Sequence, residues 1–379
     1  MRVNNINAKD FLESLEVVGN AIPSKTTIPS LIGVLMKFKD NKIILLGSDN
    51  STSIKKVIAP TNDSQFEILE EGSCLVDYKT LKLIISKLDC DFTSFYTTSN
   101  QFIIIDGKNV YKLNMLNLEE YPNIEFKKLE NEITISTLDL KNIIKNTTFA
   151  CANNSTRPIL TGVNFNCVNE KLNVVATDSF RLSNNKVLVN NKDNSSFSFT
   201  IPKTSLLALE KIISKTKQNI INLLYDDKNN ILINVDNTLF KTRFLDGTYP
   251  DFTKVLALQQ QTSNICKVDR EKLINSIDRI SVLATKDKDN NYSIIKLAFK
   301  QGCLEILSNN SQIGDAKNVI ECDCNFDLEI NCSSTFLLEA LSVFGSKIIN
   351  IETIGELKPF FIKEDENDNI IELLLPVKS

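Results

Sequence analysis

Apolar residues recur at helical spacing in several segments of the chain, with polar residues between them. The spacing of Leu140, Ile143 and Ile144, for example, is typical of a helix that buries one face. Between these segments lie short runs rich in Ile, Val, Leu and Phe, separated by turn residues, a pattern that predicts antiparallel strands. The pattern predicts first helices at Ala8–Val18, Thr137–Ala150 and Asp269–Leu283, and second helices at Tyr78–Leu88, Lys203–Lys215 and Ser333–Phe344.

The predicted elements repeat along the chain with a period of about 130 residues. In each repeat, turn residues lead into a short strand that ends in a Ser or Thr followed by Asp or Asn, at Ser48, Thr177 and Ser308. We therefore predict an α+β fold with three tandem copies of a domain of two helices and an antiparallel sheet, at residues 1–128, 129–258 and 259–379. Three equal copies in tandem favour a curved arrangement, which two chains can close into a ring.

Composition places the chain among ordinary folded proteins of two to three domains. It has 379 residues, of which 42% are hydrophobic and 24% charged. The N-terminal stretch lacks the basic start and apolar run of a secretory signal, and no uncharged stretch is long enough to cross a bilayer. The odd number of cysteines, 9, scattered along the chain, favours a reducing compartment. We therefore expect a cytoplasmic protein without a membrane partner.

Several classes of chemistry are disfavoured by the residue types present. The chain has no histidine, which removes the usual general base near neutral pH and the Ser-His-Asp, Cys-His and HExxH sites. None of its glycines forms a phosphate-binding loop. Cys322, Cys324 and Cys332 lack a second close cysteine pair, so we expect neither a metal nor a cofactor. The net charge of −4 argues against a uniformly basic surface, so any contact with DNA is expected to be local or topological.

Four segments of the chain resemble one protein family. Val174–Leu182, which reads VVATDSFRL, looks like the VATDGxRL signature in the middle domain of bacterial beta clamps, the beta subunit of DNA polymerase III. Asp246–Phe252 is similar to the segment that closes this domain, and Pro23–Leu31 and the tail Leu373–Lys378 resemble two further family segments. The resemblance covers all three copies. It implies the DNA clamp fold, in which a head-to-tail homodimer encloses duplex DNA.

The resemblance also implies a function without catalysis. A clamp of this family is a processivity factor that encircles double-stranded DNA regardless of sequence. It tethers the polymerase III alpha subunit, and it binds the clamp loader, other polymerases and repair proteins through their short linear motifs. The resemblance thus implies a non-catalytic subunit of a DNA-directed DNA polymerase, located at the nucleoid.

A groove between the second and third copies is the implied site for these motifs. Leu182, Val255 and Leu375 are expected to receive leucine or phenylalanine anchors, while Thr177 and Arg181 orient the peptide. By motif position, the groove residues are Leu160, Thr177, Ser179, Phe180, Arg181, Leu182, Pro250, Lys254, Val255, Leu357, Leu374, Leu375, Pro376 and Val377. The chain departs from the common family pattern at Ser179, Phe180 and the Lys378–Ser379 ending, so its peptide preference is expected to differ.

Basic residues recur on the predicted helices, opposite their apolar faces. Lys141 and Lys145 lie four residues apart, and Lys272 and Arg279 lie seven apart with Ser276 between them. Lysine suits the lining of a DNA hole because a mobile point charge attracts phosphate without reading a base edge. The expected DNA-facing residues are Lys25, Lys79, Lys82, Lys141, Lys145, Arg157, Lys203, Lys211, Lys215, Lys272 and Arg279.

The ring interface is expected to join the first copy of one chain to the third copy of its partner. By position, the candidate residues are Tyr111 on one side and Val282 and Leu283 on the other. Burial in the core of the chain itself is the alternative for these three side chains.

Two other functions stay open from the sequence. A metal-dependent nuclease would use Asp49, Asp178 and Asp246, but the third copy has Asn309 where the first two have Asp49 and Asp178. We predict instead that these aspartates cap turns through hydrogen bonds to the backbone. The second alternative is a scaffold that binds proteins only and forms no ring.

Overall fold

The computed structural model describes residues 1–61, 65–154, 156–191, 195–286, 293–310, 313–365 and 367–377. In this part of the chain, one order of elements occurs three times: a strand, a helix, a run of strands, a second helix and a final meander of strands. Each predicted helix is present, so the predicted fold of three tandem copies of a two-helix, antiparallel-sheet domain is confirmed. The copy boundaries near residues 128 and 258 stay a prediction.

The elements of each copy follow the chain in order. The first copy forms β1 (Arg2–Asn7), α1 (Ala8–Gly19), β2 (Gly33–Lys39), β3 (Lys42–Ser48), β4 (Thr52–Ile58), β5 (Glu67–Glu70), β6 (Gly72–Asp77), α2 (Tyr78–Ile85), β7 (Phe92–Thr97), β8 (Gln101–Asp106) and β9 (Asn109–Asn114). The second forms β10 (Asn131–Ser136), α3 (Thr137–Thr147), β11 (Gly162–Val168), β12 (Lys171–Thr177), β13 (Arg181–Leu188), β14 (Phe197–Pro202), α4 (Lys203–Ile213), β15 (Ile220–Tyr225), β16 (Asn230–Val235), β17 (Thr238–Arg243) and α5 (Thr253–Ala257). The third forms β18 (Asn264–Asp269), α6 (Arg270–Ser281), β19 (Thr285–Lys286), β20 (Ser293–Lys300), β21 (Cys303–Asn310), β22 (Gly314–Glu321), β23 (Leu328–Ser333), α7 (Ser334–Leu341), β24 (Ile348–Thr353), β25 (Phe360–Glu364) and β26 (Asn367–Leu374).

The chain divides into two compact units, each with two antiparallel sheets. The first unit comprises Met1–Lys141, Val189–Asp193 and Thr204–Phe244. Its five-stranded sheet has the order β5-β1-β7-β8-β9, and its eight-stranded sheet has the order β10-β15-β16-β17-β4-β3-β2-β6. The eight-stranded sheet is continuous across two copies because β17 of the second copy pairs with β4 of the first.

The second unit comprises Asn142–Leu188, Asn194–Lys203 and Leu245–Ser379. Its eight-stranded sheet has the order β14-β11-β12-β13-β26-β25-β24-β18, and β26 of the third copy pairs in it with β13 of the second. Its other sheet has the order β19-β20-β21-β22, with β23 also paired to β20. Both units therefore contain one junction at which strands of adjacent copies pair.

The first helix of each copy begins at a capping side chain. Asn7, Ser136 and Asp269 each accept a hydrogen bond from the backbone N–H three residues later, at 3.0 Å. Two of these helices end earlier than predicted, since α3 ends at Thr147, before a 3-10 turn, and α6 ends at Ser281, whereas α1 continues one residue beyond the predicted end, to Gly19.

The helices bury their apolar stripes against the sheets of their own copies. In the third copy, Leu273 and Ile277 of α6 and Leu337 and Leu341 of α7 are fully buried in one core with strand residues such as Ile306. Burial of each such side chain stabilises the fold by roughly 2 kcal/mol. In the described part of the chain, no helix combines the length and the apolar character that a membrane crossing requires.

Candidate functional site

The turn between β12 and β13 is fixed by side chains that bond to the backbone. Asp178 Oδ1 accepts from the N–H groups of Phe180 and Arg181 at 2.9 and 3.1 Å. Thr177 Oγ1 accepts from the N–H of Ser179 at 3.1 Å and donates to the carbonyl of Arg181 at 2.5 Å. Ser179 has φ +79°, a left-handed conformation that favours glycine. Ser179 is therefore a strained residue within this turn.

The corresponding turn of the first copy has the same caps. Asp49 Oδ1 accepts from the N–H groups of Ser51 and Thr52 at 2.8 and 2.6 Å. The prediction that Asp49 and Asp178 cap turns is therefore confirmed. In both turns the Oδ1 atom of the aspartate is occupied by backbone donors of its own turn, a capping role that needs no metal.

A groove of about 240 Å³ opens beside the turn of the second copy. On its floor, Leu182 of β13 lies opposite Leu373 of β26. Val255 of α5 contributes to another wall. The full lining is Arg157, Leu160, Thr177, Ser179, Arg181, Leu182, Pro250, Asp251, Phe252, Val255, Leu373 and Leu375. The groove is thus mostly apolar, with a few polar groups at its margin, as expected of a site for apolar anchors.

The predicted residues found in this lining are Leu160, Thr177, Ser179, Arg181, Leu182, Pro250, Val255 and Leu375. The other predicted groove residues lie outside it. Leu374 is 2% exposed and packs in the core of the third copy, because alternate residues of a strand face opposite sides. Leu357 is 70% exposed, away from the lining. Phe180, Lys254, Pro376 and Val377 also lie beyond it. Lys378 and Ser379 are outside the described residues.

The C-terminal tail is nevertheless fixed next to the groove. The N–H of Leu375 donates to the carbonyl of Phe180 at 2.9 Å, and the N–H of Val377 donates to the carbonyl of Asn331 at 2.8 Å. Residues missing from the predicted set are Arg157, Asp251, Phe252 and Leu373. For Leu373 the sequence did contain a signal, because alternation along a strand places Leu373 and Leu375 on the same face and Leu374 on the other. Arg157 was expected to face DNA instead.

Arg181 lines the groove with part of its surface, and each nitrogen of its guanidinium has a partner within the chain. Its Nε donates to Asp178 at 3.0 Å, its two terminal nitrogens donate to Glu339 and to the carbonyl of Phe149, and its guanidinium lies 4.1 Å from the ring centre of Phe336. The side chain is 9% exposed. The guanidinium thus holds the strand turn against α7, and the expected role of Arg181 in orienting a peptide stays a prediction.

Thr177 is engaged in the same way. Its N–H donates to the phenolic oxygen of Tyr249 at 3.0 Å, and its hydroxyl is used within the turn. Burial raises the pKa of Tyr249 well above its usual range, so this phenol stays neutral. Thr177 and Tyr249 therefore shape the wall of the groove, and the expected role of Thr177 in orienting a peptide stays a prediction.

A buried carboxyl group lies beside Arg181 in the junction between β13 and β26. Burial raises the pKa of Glu372 well above its usual range. Ser183 Oγ is 2.7 Å from the carbonyl of Asn146 and 2.6 Å from Glu372 Oε1, yet a hydroxyl has one proton to donate. The contacts are satisfied if Ser183 donates to the carbonyl and protonated Glu372 donates to Ser183. The hydrogen-bond geometry and the pKa shift thus both favour a neutral acid.

The predicted DNA-facing residues lie on helices and loops and are mostly exposed. Lys145, Lys211, Lys215, Lys272 and Arg279 are exposed on faces opposite the buried stripes, whereas Lys141 and Lys203 are half-buried, and Lys25, Lys79 and Arg157 are exposed. Lys82 forms an ion pair with Glu16 at 3.0 Å, so its charge is partly neutralised. Ser276 is buried, so it does not lie on the exposed stripe between Lys272 and Arg279.

The predicted interface residues lie at exposed ends of their elements. Val282, just beyond α6, is 77% exposed, so the alternative of core burial is wrong for this residue. Tyr111 on β9 and Leu283 are half-buried. β9 and β22 each lie at the edge of a sheet, with a pairing partner on one side only among the described strands.

Comparison with known proteins agrees with this geometry along the whole chain. Family models for the DNA polymerase III beta subunit match residues 4–125 with the N-terminal domain, 134–251 with the central domain and 257–378 with the C-terminal domain. The beta sliding clamp of Bacillus subtilis is 33% identical over 377 residues, covering 97% of each chain. A beta sliding clamp of Staphylococcus aureus is 31% identical over 376 residues, with the same coverage.

Solved structures give the same result. A DNA polymerase sliding clamp from Bacillus subtilis has a TM-score of 0.92 at 31% identity and covers 100% of this chain and 99% of its own. The DNA polymerase III beta chain of Streptococcus pneumoniae has a TM-score of 0.92 at 28% identity, with 100% of both chains covered. Three domain matches in the right order and a shared fold over the full length lead to one conclusion: the chain belongs to the DNA polymerase III beta subunit family, the bacterial beta sliding clamps.

Proposed function

We propose that this protein is a DNA sliding clamp, a processivity factor that encircles duplex DNA and tethers the replicative polymerase to it. The observation that carries the proposal is the presence of three consecutive beta-subunit domains over the whole chain. We assign the chain no catalytic step. The absence of histidine and the use of Asp49 and Asp178 as turn caps support this assignment.

The proposed ring is a head-to-tail homodimer that closes through β9 of one chain and β22 of its partner. Within one chain, β4 pairs with β17 and β13 pairs with β26, so adjacent copies join by pairing strands. β9 of the first copy corresponds to β17 and β26, β22 of the third copy corresponds to β4 and β13, and each of the two is at a sheet edge. An unpaired edge is a template for another strand. Tyr111 on β9 and the exposed Val282 support contacts of this kind at the interface.

The test of the clamp is topological. The purified protein, loaded by its clamp loader, is expected to remain on closed circular DNA through a gel-filtration column and to leave the same DNA after it is cut once. Equal retention on circular and linear DNA would favour ordinary binding, and no retention on either would favour a scaffold that binds proteins only.

Contact with DNA is assigned to lysines on the helices. Lys211 and Lys215 are exposed on and just after α4, and each places one positive charge where phosphate can be attracted without base recognition. Replacing both by glutamate is expected to slow loading and to flatten its dependence on salt. Lys171 and Lys186, exposed on strands, are the matched control pair. An equal loss of loading in both variants would contradict a DNA-facing role for α4.

The apolar groove is assigned to linear motifs of the polymerase III alpha subunit, the clamp loader, other polymerases and repair proteins. Leu182, Phe252, Val255, Leu373 and Leu375 supply its apolar surface. Removing residues 375–379 is expected to abolish binding of an isolated motif peptide, measured by fluorescence anisotropy, while sedimentation still gives a dimer. Unchanged peptide affinity would remove the groove from the proposal without affecting the proposed ring.

A further inference from the structure

Three thiols of the third copy lie together, away from the groove. Cys266 is on β18, and Cys322 and Cys324 follow β22. Lys267 and Asp323 exchange both of their backbone hydrogen bonds, at 2.9 and 3.0 Å. This pairing sets Cys266 opposite Cys324, and the alternation of a strand directs Cys322 to the same face. The Sγ atoms of Cys266 and Cys322 are 3.5 Å apart.

The two closest thiols differ in exposure and in acidity. Cys266 is fully buried and donates its S–H to the sulfur of Cys322, which is partly exposed. This hydrogen bond lowers the pKa of Cys322 because it stabilises the thiolate, the form that reacts. The pair thus combines an accessible, more acidic sulfur with a shielded second sulfur in contact with it.

Cys90 of the first copy provides a contrast. It is exposed, yet its hydrogen bond with Asp106 and the nearby charges of Asp89 and Asp91 raise its pKa. Burial raises the pKa of Cys74, Cys151 and Cys332 to about 12. Among the thiols for which a shift is resolved in the described chain, Cys322 alone is shifted towards the thiolate.

We propose that Cys266 and Cys322 form a reversible thiol-oxidation site that closes as a disulfide in the presence of a hydroperoxide. The Cys322 thiolate attacks one peroxide oxygen, the O–O bond breaks, and a sulfenic acid forms with release of hydroxide. The Cys266 sulfur then attacks the Cys322 sulfur, the S–O bond breaks, and the departing hydroxide takes up the Cys266 proton as water. In total, two thiols and one hydrogen peroxide give one disulfide and two waters.

The local backbone favours this step over one that needs unfolding. Lys267 and Asp323, which follow each reacting cysteine in the chain, are already paired, and the two sulfurs are already 3.5 Å apart, so closure requires a local adjustment of the two segments and no unfolding. β18 is an edge strand of the eight-stranded sheet. The disulfide would therefore tie this edge to the segment at residues 322–324 and suppress local opening of the strand.

The test uses the full-length protein under native conditions, treated with a small excess of hydrogen peroxide, alkylated and digested without reduction. Mass spectrometry is expected to find the Cys266 peptide linked to the Cys322 peptide, and a reductant is expected to remove the link. Hydrogen exchange at β18 is expected to slow on oxidation and to recover on reduction.

Single substitutions identify which cysteines form the link. Cys322→Ser is expected to abolish the link, whereas Cys324→Ser and the control Cys90→Ser are expected to retain it. The proposal would be overturned if Cys266 forms a disulfide equally well in Cys322→Ser, if the Cys266–Cys322 link requires Cys324, if Cys90 is alkylated faster than Cys322 in the reduced protein, or if no link forms while the protein stays folded.

Discussion

The two junctions at which neighbouring copies pair strands share a backbone design. At the first junction, the N–H of Arg243 on β17 donates to the carbonyl of Ser51 at 3.2 Å. At the second, the N–H of Leu375 donates in the same way to the carbonyl of Phe180 at 2.9 Å. Both turns have an aspartate cap followed by a residue with positive φ. The backbone arrangement beside the apolar groove is therefore not unique to the second junction.

The side chains on the groove side of the two junctions are opposite in character. At the first junction, Ser53 lies opposite Lys241, whereas at the second, Leu182 lies opposite Leu373. The first junction has a polar crevice of about 110 Å³, while the apolar groove of the second is about 240 Å³. The outward-facing positions of two paired strands thus decide which junction offers an apolar site.

On the buried side of the two junctions, the polarity of the side chains differs in the opposite direction. Phe240 lies opposite Ile54 at the first junction, where the second has Glu372 opposite Ser183. The first junction is closed by apolar and hydroxyl side chains, whereas the second holds two buried ionisable groups, Arg181 and Glu372. At the second junction, the directed hydrogen bonds of Arg181 and Glu372 therefore fix the geometry of the groove floor beneath its apolar side chains.

The largest expected difference concerns the buried charge. Arg181→Met is expected to lower the free energy of unfolding of the second unit by roughly 3 kcal/mol, because Asp178, Glu339 and a backbone carbonyl lose their donor. Thr52→Val, at the corresponding position of the first junction, is expected to cost about 1 kcal/mol through lost hydroxyl contacts. Urea unfolding followed by circular dichroism measures both. Similar losses would contradict the contrast between the junctions.

The next difference concerns peptide affinity. Leu375→Arg places at the second junction the residue type that the first junction has at the corresponding position, Arg243. It is expected to weaken the binding of a motif peptide roughly 30-fold, or about 2 kcal/mol, because an apolar contact is replaced by a charge. The reverse change, Arg243→Leu, is the matched control and is expected to leave affinity unchanged. Isothermal titration distinguishes the two. If both variants bind like the parent, the lining is not what recognises the peptide.

The buried acid predicts a dependence on pH. The raised pKa of Glu372 means that its contribution to stability is complete below the ordinary glutamate pKa and is lost as pH rises through the raised value. Glu372→Gln keeps a neutral donor, so its stability relative to the parent is expected to increase as pH rises. Thermal unfolding of both proteins across this range tests the sign. A constant difference would mean that Glu372 titrates normally.

The smallest expected effect lies in the turns. Ser179→Gly is expected to stabilise the second unit by roughly 0.5–1 kcal/mol, because glycine adopts a positive φ without strain. Asn50→Gly at the first junction is expected to change stability by only a few tenths of a kcal/mol, since asparagine tolerates this conformation better than serine. Differential scanning calorimetry can resolve the order of the two. A larger gain at Asn50 would contradict this explanation.

The sequence predicted the elements and the repeat because these depend on local patterns. The spacing of Leu140, Ile143 and Ile144 was sufficient to identify α3, whereas α5, at Thr253–Ala257, is too short for helical periodicity to stand out. Because alternate residues of a strand face opposite sides, a groove that includes Leu375 is expected to include Leu373 and not Leu374.

The role of Arg181 could not be predicted in this way. Its partner Glu339 is 158 residues away in the sequence, so the ion pair depends on tertiary packing. Local pattern therefore predicted the scaffold, and the resemblance to the beta clamps supplied most of the residues that line the groove, while the contacts of the buried charges required the fold.

Hydrogen exchange in the presence of one motif peptide distinguishes the two junctions. Saturating peptide is expected to slow exchange at Thr177–Leu182 and Leu373–Leu375 and to leave exchange at Ser48–Ser53 and Lys241–Arg243 unchanged. Protection at both junctions, or at the first junction alone, would contradict the claim that the outward-facing side chains confine peptide binding to the second.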